Sequence, residues 1–246
     1  MIKWTLNPEY ATGHSGLAFA DLDSVFALEG EFITRDPLST VHRVWIGDRH
    51  YYLKRYHAAG KHLRRYLGRP RVVAEWENLL SFKAWGIPAA TVVGFGMERR
   101  AGLFVRGAMI TEALDNTTDL ARLAEQQADC FKDPVWVRSV CHQVAHAARM
   151  MHDQRFVHND FKWRNILVDA KARVYLIDCP AGAFWWGPML RYRIIKDLAC
   201  LDKLGKLHFT RSQRLRFYRD YSGKQRLDAA DKHFIRRVLK FFEGRE

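Results

Sequence analysis

His158-Asn159-Asp160-Phe161-Lys162-Trp163-Arg164-Asn165 sets a histidine, an aspartate and an asparagine at the spacing H-x-D-x-x-x-x-N, and Asp178 follows thirteen residues after Asn165. The residue types define a chemistry. Asp160 supplies a carboxylate able to orient a hydroxyl, and Lys162 a cation for negative charge developing nearby. Asn165 and Asp178 supply an amide oxygen and a carboxylate, the ligands a hard divalent cation prefers. Upstream, apolar residues recur at Val137, Val140, Val144, Ala147, Ala148 and Met151, which predicts a helix over 135–151. Downstream, Ile166-Leu167-Val168 and Val174-Tyr175-Leu176-Ile177 flank a polar turn at 169–171, a β-hairpin that delivers Asp178 at its exit. Capping of a helix and a turn by Asp160 and Asn165 accounts for neither the hairpin nor the second carboxylate.

Toward the amino terminus, residues 26–56 read as three strands. Phe32-Ile33 lies in the first, Asp36-Pro37-Leu38-Ser39-Thr40 turns the chain, and 41–46 forms the second. Gly47-Asp48 leads into a third strand over 50–56, where Tyr52 and Lys54 alternate with Tyr51 and Leu53. A helix is expected over 71–85, with Val72, Val73, Trp76, Leu79 and Leu80 on one face. Glu75 and Glu77 flank that face on opposite sides, and Gly86-Ile87-Pro88 stops the helix. Strands at 90–95 and 102–111 follow, then Glu112-Ala113-Leu114. Beyond Asp178 come Phe184-Trp185-Trp186-Gly187-Pro188-Met189 and a helix over 193–204 that carries Asp197.

At 246 residues the chain buries one large core or two modest ones, and 48% hydrophobic with 27% charged residues excludes a disordered polymer. No run of eighteen apolar residues offers a membrane span, and residues 1–10 lack the apolar core of a secretory signal. Cys130, Cys141, Cys179 and Cys200 show no C-x-x-C spacing, which argues against a zinc site or a disulfide framework and points to a reducing cytoplasm. The net charge is +13 and unevenly spread. Lys54, Arg55, Lys61, Arg64, Arg65, Arg69 and Arg71 fall within 54–74 without one acid among them. A second basic region runs through Arg211, Arg214, Arg216 and Arg219 to Arg236, Arg237 and Lys240. Such fields attract anionic partners, whereas solvated helix faces are the plainer account of the second region.

The chain resembles the lipopolysaccharide kinase family of the Kdo/WaaP type over residues 26–221. The likeness rests on Tyr52-Leu53-Lys54-Arg55-Tyr56, Glu75-Trp76-Glu77-Asn78-Leu79, Gly86-Ile87-Pro88 and the loop from His158. Lys196-Asp197-Leu198-Ala199-Cys200-Leu201 and Arg214-Leu215-Arg216-Phe217-Tyr218 add to it. It implies an α+β, bilobal protein-kinase-like fold, with a small antiparallel-sheet lobe over 1–113 and a mostly helical lobe over 114–246. It further implies an ATP- and Mg2+-dependent kinase that phosphorylates a sugar hydroxyl, first of all a heptose, of the bacterial lipopolysaccharide inner core. Asp160 and Lys162 take the catalytic roles, and Asn165 and Asp178 hold magnesium. Lys54 holds the α- and β-phosphates and pairs with a glutamate of the next helix. The usual spacing of that glutamate before a buried aliphatic favours Glu75 ahead of Leu79, with Glu77 as the alternative.

Ser39 and Thr40 are expected at the phosphates, the backbone of Glu112 and Leu114 at the adenine edge, and Asp197 as an anchor for the loop backbone. Arg64, Arg65, Arg69, Trp163, Arg164, Trp185 and Trp186 are candidates for the acceptor or a lipid interface. The partner implied is an anionic lipopolysaccharide precursor at the cytoplasmic face of the inner membrane, with peripheral membrane contact and no nucleic acid. Three departures from protein kinases stand out: no G-x-G-x-x-G near 36–40, Asp178-Cys179-Pro180 where D-F-G would stand, and no A-P-E afterwards. They disfavour a regulated protein kinase. A small-molecule kinase of the aminoglycoside phosphotransferase type is the first alternative, but its cationic substrates suit a basic chain poorly. A non-catalytic module binding anionic glycan, membrane or RNA is the second, and it has no physical need for Lys54, Asp160, Asn165 and Asp178 together.

Overall fold

Alternation of apolar and polar side chains builds the first part of the molecule. In the strand Arg49–Tyr56, Tyr51 and Leu53 point one way into the core while Lys54 points the other. The computed structural model describes residues 1–60 and 68–244, so Lys61, Arg64 and Arg65 of the basic run lie outside the described residues. In chain order the strands of the first sheet are β1 (Ile2–Leu6), β2 (Glu31–Arg35), β3 (Ser39–Ile46), β4 (Arg49–Tyr56), β5 (Val92–Arg100) and β6 (Leu103–Glu112). They form a six-stranded antiparallel sheet in the order β1-β5-β6-β4-β3-β2. Two short helices, α1 (Gly13–Ala18) and α2 (Leu22–Ala27), precede β2. Phe19, Leu22 and Val25 pack with Val44, Tyr51, Leu53, Val93, Ala108 and Ile110 in one apolar cluster. The expected first strand thus begins at Glu31, because Phe26 belongs to α2.

All five residues of β2 are exposed, and this edge carries a cross-strand pair between Glu31 and Arg43 at 2.5 Å. The register with β3 slips between Phe32 and Thr34. Helix α3 (Arg71–Ala84) lies against the sheet through Trp76, which stacks on Phe95 at 4.5 Å. Its buried face is Val72, Glu75, Asn78, Leu79 and Phe82, whereas Leu80 is exposed. The face is rotated relative to the apolar pattern, because a buried glutamate and asparagine occupy places that periodicity alone gives to aliphatics.

The chain divides into two units, residues 1–81 with 90–114 and residues 82–89 with 115–246. In the second, β7 (Thr117–Asp119) leads into α4 (Leu120–Glu125) and the long α5 (Pro134–Asp153). Asp133 caps α5 by accepting from Val135 N–H, and the buried residues Val137, Val140, Val144, Ala147, Ala148 and Met151 form one stripe. Next come β8 (Phe156–Val157), β9 (Ile166–Asp169), β10 (Val174–Leu176) and β11 (Ala183–Phe184). β9 pairs antiparallel with β10 and with β7, and β11 pairs with β8. The helices α6 (Gly187–His208), α7 (Arg211–Ser222) and α8 (Ala229–Leu239) complete the unit. α6 starts six residues earlier than the sequence pattern indicates, since Pro188 sits in its first turn. No helix among the described residues is long and apolar enough to cross a membrane.

Gly96 marks the tightest approach in the sheet: a Cβ there would lie 2.3 Å from the Lys3 carbonyl oxygen and 2.5 Å from the Trp4 ring. Gly96→Ala is therefore expected to destabilise the first unit by about 2 kcal/mol through overpacking, read as a lower midpoint in urea unfolding.

Candidate active site

The candidate residues fall into two groups, one in each unit. In the first, the Lys54 ammonium donates to both carboxylate oxygens of Glu75, at 3.1 and 2.9 Å. Tyr56, two residues along the same face of β4, also donates its hydroxyl to Glu75, and the Lys54 ammonium lies 5.5 Å from the Tyr56 ring centroid. The side chains of the ion pair are 14% and 4% exposed, so it is shielded from solvent and its charges are weakly screened. Removing either partner of such a pair leaves a buried charge uncompensated, at a cost of roughly 3–5 kcal/mol. The alternative glutamate is accounted for elsewhere: Glu77 takes Arg69.

The other residues expected around a nucleotide are placed as follows. Ser39 is buried, with its hydroxyl donating to Asp36 at 3.1 Å and its N–H to the same carboxylate at 3.0 Å. Asp36 thus closes the β2–β3 turn from within and takes the Ser39 hydroxyl with it. Thr40 lies in hydrogen-bond range of the His57 ring, 3.4 Å away. The Glu112 N–H donates to the Thr91 carbonyl at 2.9 Å, and its side chain accepts from Tyr10 and Arg49. Leu114 closes the first unit.

The second group lies on a loop held by its backbone. Asp197, wholly buried on α6, accepts the N–H of His158 at 2.7 Å and that of Asn159 at 2.9 Å. Asn159 has φ +64°, a left-handed conformation that asparagine tolerates better than most residues. Its carbonyl takes Lys196 at 3.1 Å, its amide oxygen takes Arg193 at 3.2 Å, and its amide nitrogen donates to Ala181 at 2.8 Å. The constraint sets the direction of the next residue, Asp160. The Lys162 ammonium lies 2.5 Å from the Asp160 carboxylate and Arg164 lies 3.4 Å away. Burial pushes the Asp160 carboxyl up, but Lys162, Arg164 and His158 outweigh it and hold the carboxyl below its ordinary value.

Asn165 donates its amide hydrogen to the Asp160 carbonyl at 2.8 Å, which orients the side chain and leaves the amide oxygen as the atom that could meet a cation. Asp178 leaves β10 with φ +56°, a second left-handed non-glycine residue beside the loop. No group of three or more His, Cys, Asp or Glu is gathered for a metal among the described residues. Asn165 and Asp178 still fit magnesium, which keeps waters and takes phosphate oxygens instead of demanding an all-protein cage. His158 is fully buried and stacks on Phe161 and Phe82, and burial holds its imidazole below the ordinary histidine range.

The candidate acceptor residues separate by burial. Trp163 is 4% exposed, donates to the Leu201 carbonyl at 2.9 Å, stacks on Phe131 and lines an internal cavity, so its ring belongs to the core of the second unit. Trp185 carries the Arg193 guanidinium 4.6 Å over its ring, and Trp186 is 63% exposed. An apolar cavity of about 380 Å3 opens in the second unit among Val144, Leu198, Leu201 and Phe209, and neither Asp160, Asn165 nor Asp178 lines it. The Arg193 and Lys196 contacts to Asn159 escape sequence reasoning; three cations within six residues of α6, with no acid between Asp178 and Asp197, are the only trace they leave.

A family model described as lipopolysaccharide kinase (Kdo/WaaP) matches residues 29–221. A 3-deoxy-D-manno-octulosonic acid kinase of Photobacterium profundum is 35% identical over 79 residues, 32% of this chain and 30% of that protein. A probable serine/threonine-protein kinase of fowlpox virus is 26% identical over 106 residues, 43% of this chain and 34% of that protein. The chain thus spans about a third of the length of these curated relatives. Among solved structures, WaaP in complex with acyl carrier protein superposes with a TM-score of 0.71 at 21% identity, covering 98% of this chain and 100% of that one. That likeness establishes the fold, a bilobal protein-kinase-like arrangement with a small antiparallel-sheet lobe and a helical lobe.

Lys162→Met is expected to move the Asp160 carboxyl upward, measured by carbon-detected NMR titration of labelled aspartate; an unmoved titration would show that Lys162 does not govern it. The sign for stability follows from the depressed native value. The pair stabilises the fold above the ordinary aspartate pKa of ~3.9, and that contribution disappears as pH falls through the native value.

Proposed function

The chain belongs to the lipopolysaccharide kinase (Kdo/WaaP) family, and on that footing we propose that it transfers the γ-phosphoryl of ATP to a sugar hydroxyl, first of all a heptose, of the lipopolysaccharide inner core. The observation that carries the reading is the Asp160 constellation: an ionised carboxylate, its ammonium partner Lys162 at 2.5 Å, and an asparagine whose amide nitrogen is already committed. Asp160 orients the acceptor hydroxyl and takes its proton as the new oxygen–phosphorus bond forms and the bond to the β-phosphate oxygen breaks, releasing ADP. Lys162 offsets the charge on the phosphoryl group in transit. Asn165 and Asp178 are the residues that would hold magnesium, which when bound neutralises phosphate charge. Lys54, fixed by Glu75 and Tyr56, is the cation for the α- and β-phosphates.

The finer features of the acceptor follow from charge and exposure. A chain with +13 net charge suits an anionic substrate, and Arg69, Arg164, Arg193 and the exposed Trp186 suit a phosphorylated glycan presented at a membrane surface. We place the protein as a peripheral component at the cytoplasmic face of the inner membrane. A cationic aminoglycoside would meet the same field as repulsion.

Incubation with labelled ATP and magnesium against purified core oligosaccharide, aminoglycosides and protein acceptors in parallel tests the assignment. Label is expected in the oligosaccharide; transfer only to aminoglycoside or protein would replace the substrate class. Asp160→Ala should lower kcat by about 10³ while ATP affinity stays unchanged, in line with loss of a general base. Full turnover in that variant would remove the mechanism.

A further inference from the structure

Tyr221 lies near the end of α7, outside every motif, yet its hydroxyl sits 2.9 Å from Nδ1 of His152 on α5. The other ring nitrogen of His152, Nε2, is buried, lies 3.5 Å from the Asp197 carboxylate and makes no hydrogen bond among the described residues. Asp197 in turn holds the N–H groups of His158 and Asn159. We propose that Tyr221 is a positioning residue for the loop that carries Asp160, acting by holding the His152 ring beside Asp197. The kinetic consequence rests on the phosphotransfer reading above; the structural one stands without it.

The argument is one of lone pairs. A neutral imidazole has one donor and one acceptor nitrogen. With the proton on Nδ1, the Nε2 lone pair would confront a wholly buried carboxylate 3.5 Å away, two acceptors face to face. With the proton on Nε2, Nδ1 accepts the Tyr221 O–H, and the positive end of the Nε2–H dipole lies beside the Asp197 carboxylate as an electrostatic contact. Burial drives the Tyr221 hydroxyl above its ordinary pKa, so it remains a donor at any working pH. Each Asp197 oxygen accepts one backbone N–H, so the contact with His152 adds to a carboxylate that is already hydrogen-bonded. Asp197 selects this tautomer, and deleting the Tyr221 hydroxyl removes the donor that holds the ring in place at Nδ1. The two backbone bonds that hold Asn159 in its left-handed conformation then lose the orienting contact behind them.

The test uses the full chain, labelled with nitrogen-15, at pH 8. Long-range correlation spectra report the His152 tautomer, assigned by the signal missing in His152→Asn. The wild type is expected to carry its proton on Nε2. Tyr221→Phe, which keeps the ring, is expected to retain that tautomer but to give amide exchange at His158 and Asn159 about fivefold faster relative to the β9 amides, the size of one lost hydrogen bond. Tyr218→Phe, which removes from the same helix a hydroxyl bonded to Asp231 instead, should change neither reading. In the phosphotransfer assay Tyr221→Phe should lower kcat about fivefold with the KM for ATP held within about twofold. A proton on Nδ1 or on both nitrogens in the wild type overturns the proposal, and so does a Tyr221→Phe protein with wild-type exchange at His158 and Asn159. A wild type inactive on every acceptor would sink the kinase reading while leaving these spectra to decide the relay.

Discussion

A carboxylate sealed from water has to be satisfied by the protein around it, and Asp197 is satisfied by the backbone of the loop it faces. Two N–H groups at 2.7 and 2.9 Å fix the peptide planes of His158 and Asn159. With the left-handed turn at Asn159, those planes set where Asp160 points. The burial that makes the anchor strict also makes it expensive to disturb, because an unpaired charge in that position has no solvent to turn to. Lys196, Arg193 and Ala181 then bind the three remaining polar groups of Asn159, so the residue before Asp160 has little freedom left. The rest of the loop inherits its geometry from this point: Lys162 N–H bonds the Asp160 carbonyl, and Asn165 reaches back to the same oxygen.

The first unit solves a related problem with side chains. Glu75 projects from the buried face of α3 and is met by an ammonium and a phenol from one face of β4. The strand period of two brings Lys54 and Tyr56 to the same side, and the helix period brings Glu75 into line with Val72 and Leu79. Packing of Trp76 on Phe95 ties the helix to the sheet, so the ion pair is positioned by apolar contacts on either side of it. A cation held this way is preorganised for an anion and loses little side-chain freedom when one arrives.

Much of this was legible in the residues, and the exceptions have physical causes. The stripe on α5 is one-sided and uninterrupted, and its periodicity located the helix to within two residues at each end. On α3 the apolar pattern misled, since Glu75 and Asn78 occupy buried places and Leu80 an exposed one. The pairing of Lys54 with Glu75 therefore needed the three-dimensional register to separate it from Glu77. Residues 1–27 carried no signal for β1, because its five residues are paired with β5, far along the chain. The helix expected over 193–204 begins at Gly187 instead, because proline suits a first helical turn. The Tyr221–His152–Asp197 line spans three helices and leaves no mark on spacing at all.

The outermost strand β2 has a bearing on how copies of this chain meet one another. A straight, uncovered sheet margin invites a second polypeptide to zip onto its open amides and carbonyls. Here the margin is only five residues long, interrupted by the slip at Phe32 and Thr34, and its flank carries the Glu31–Arg43 pair. Those are the devices by which natural sheets refuse strand addition. A mutation that straightened the bulge would be felt first as turbidity in concentrated solution, long before any effect on turnover.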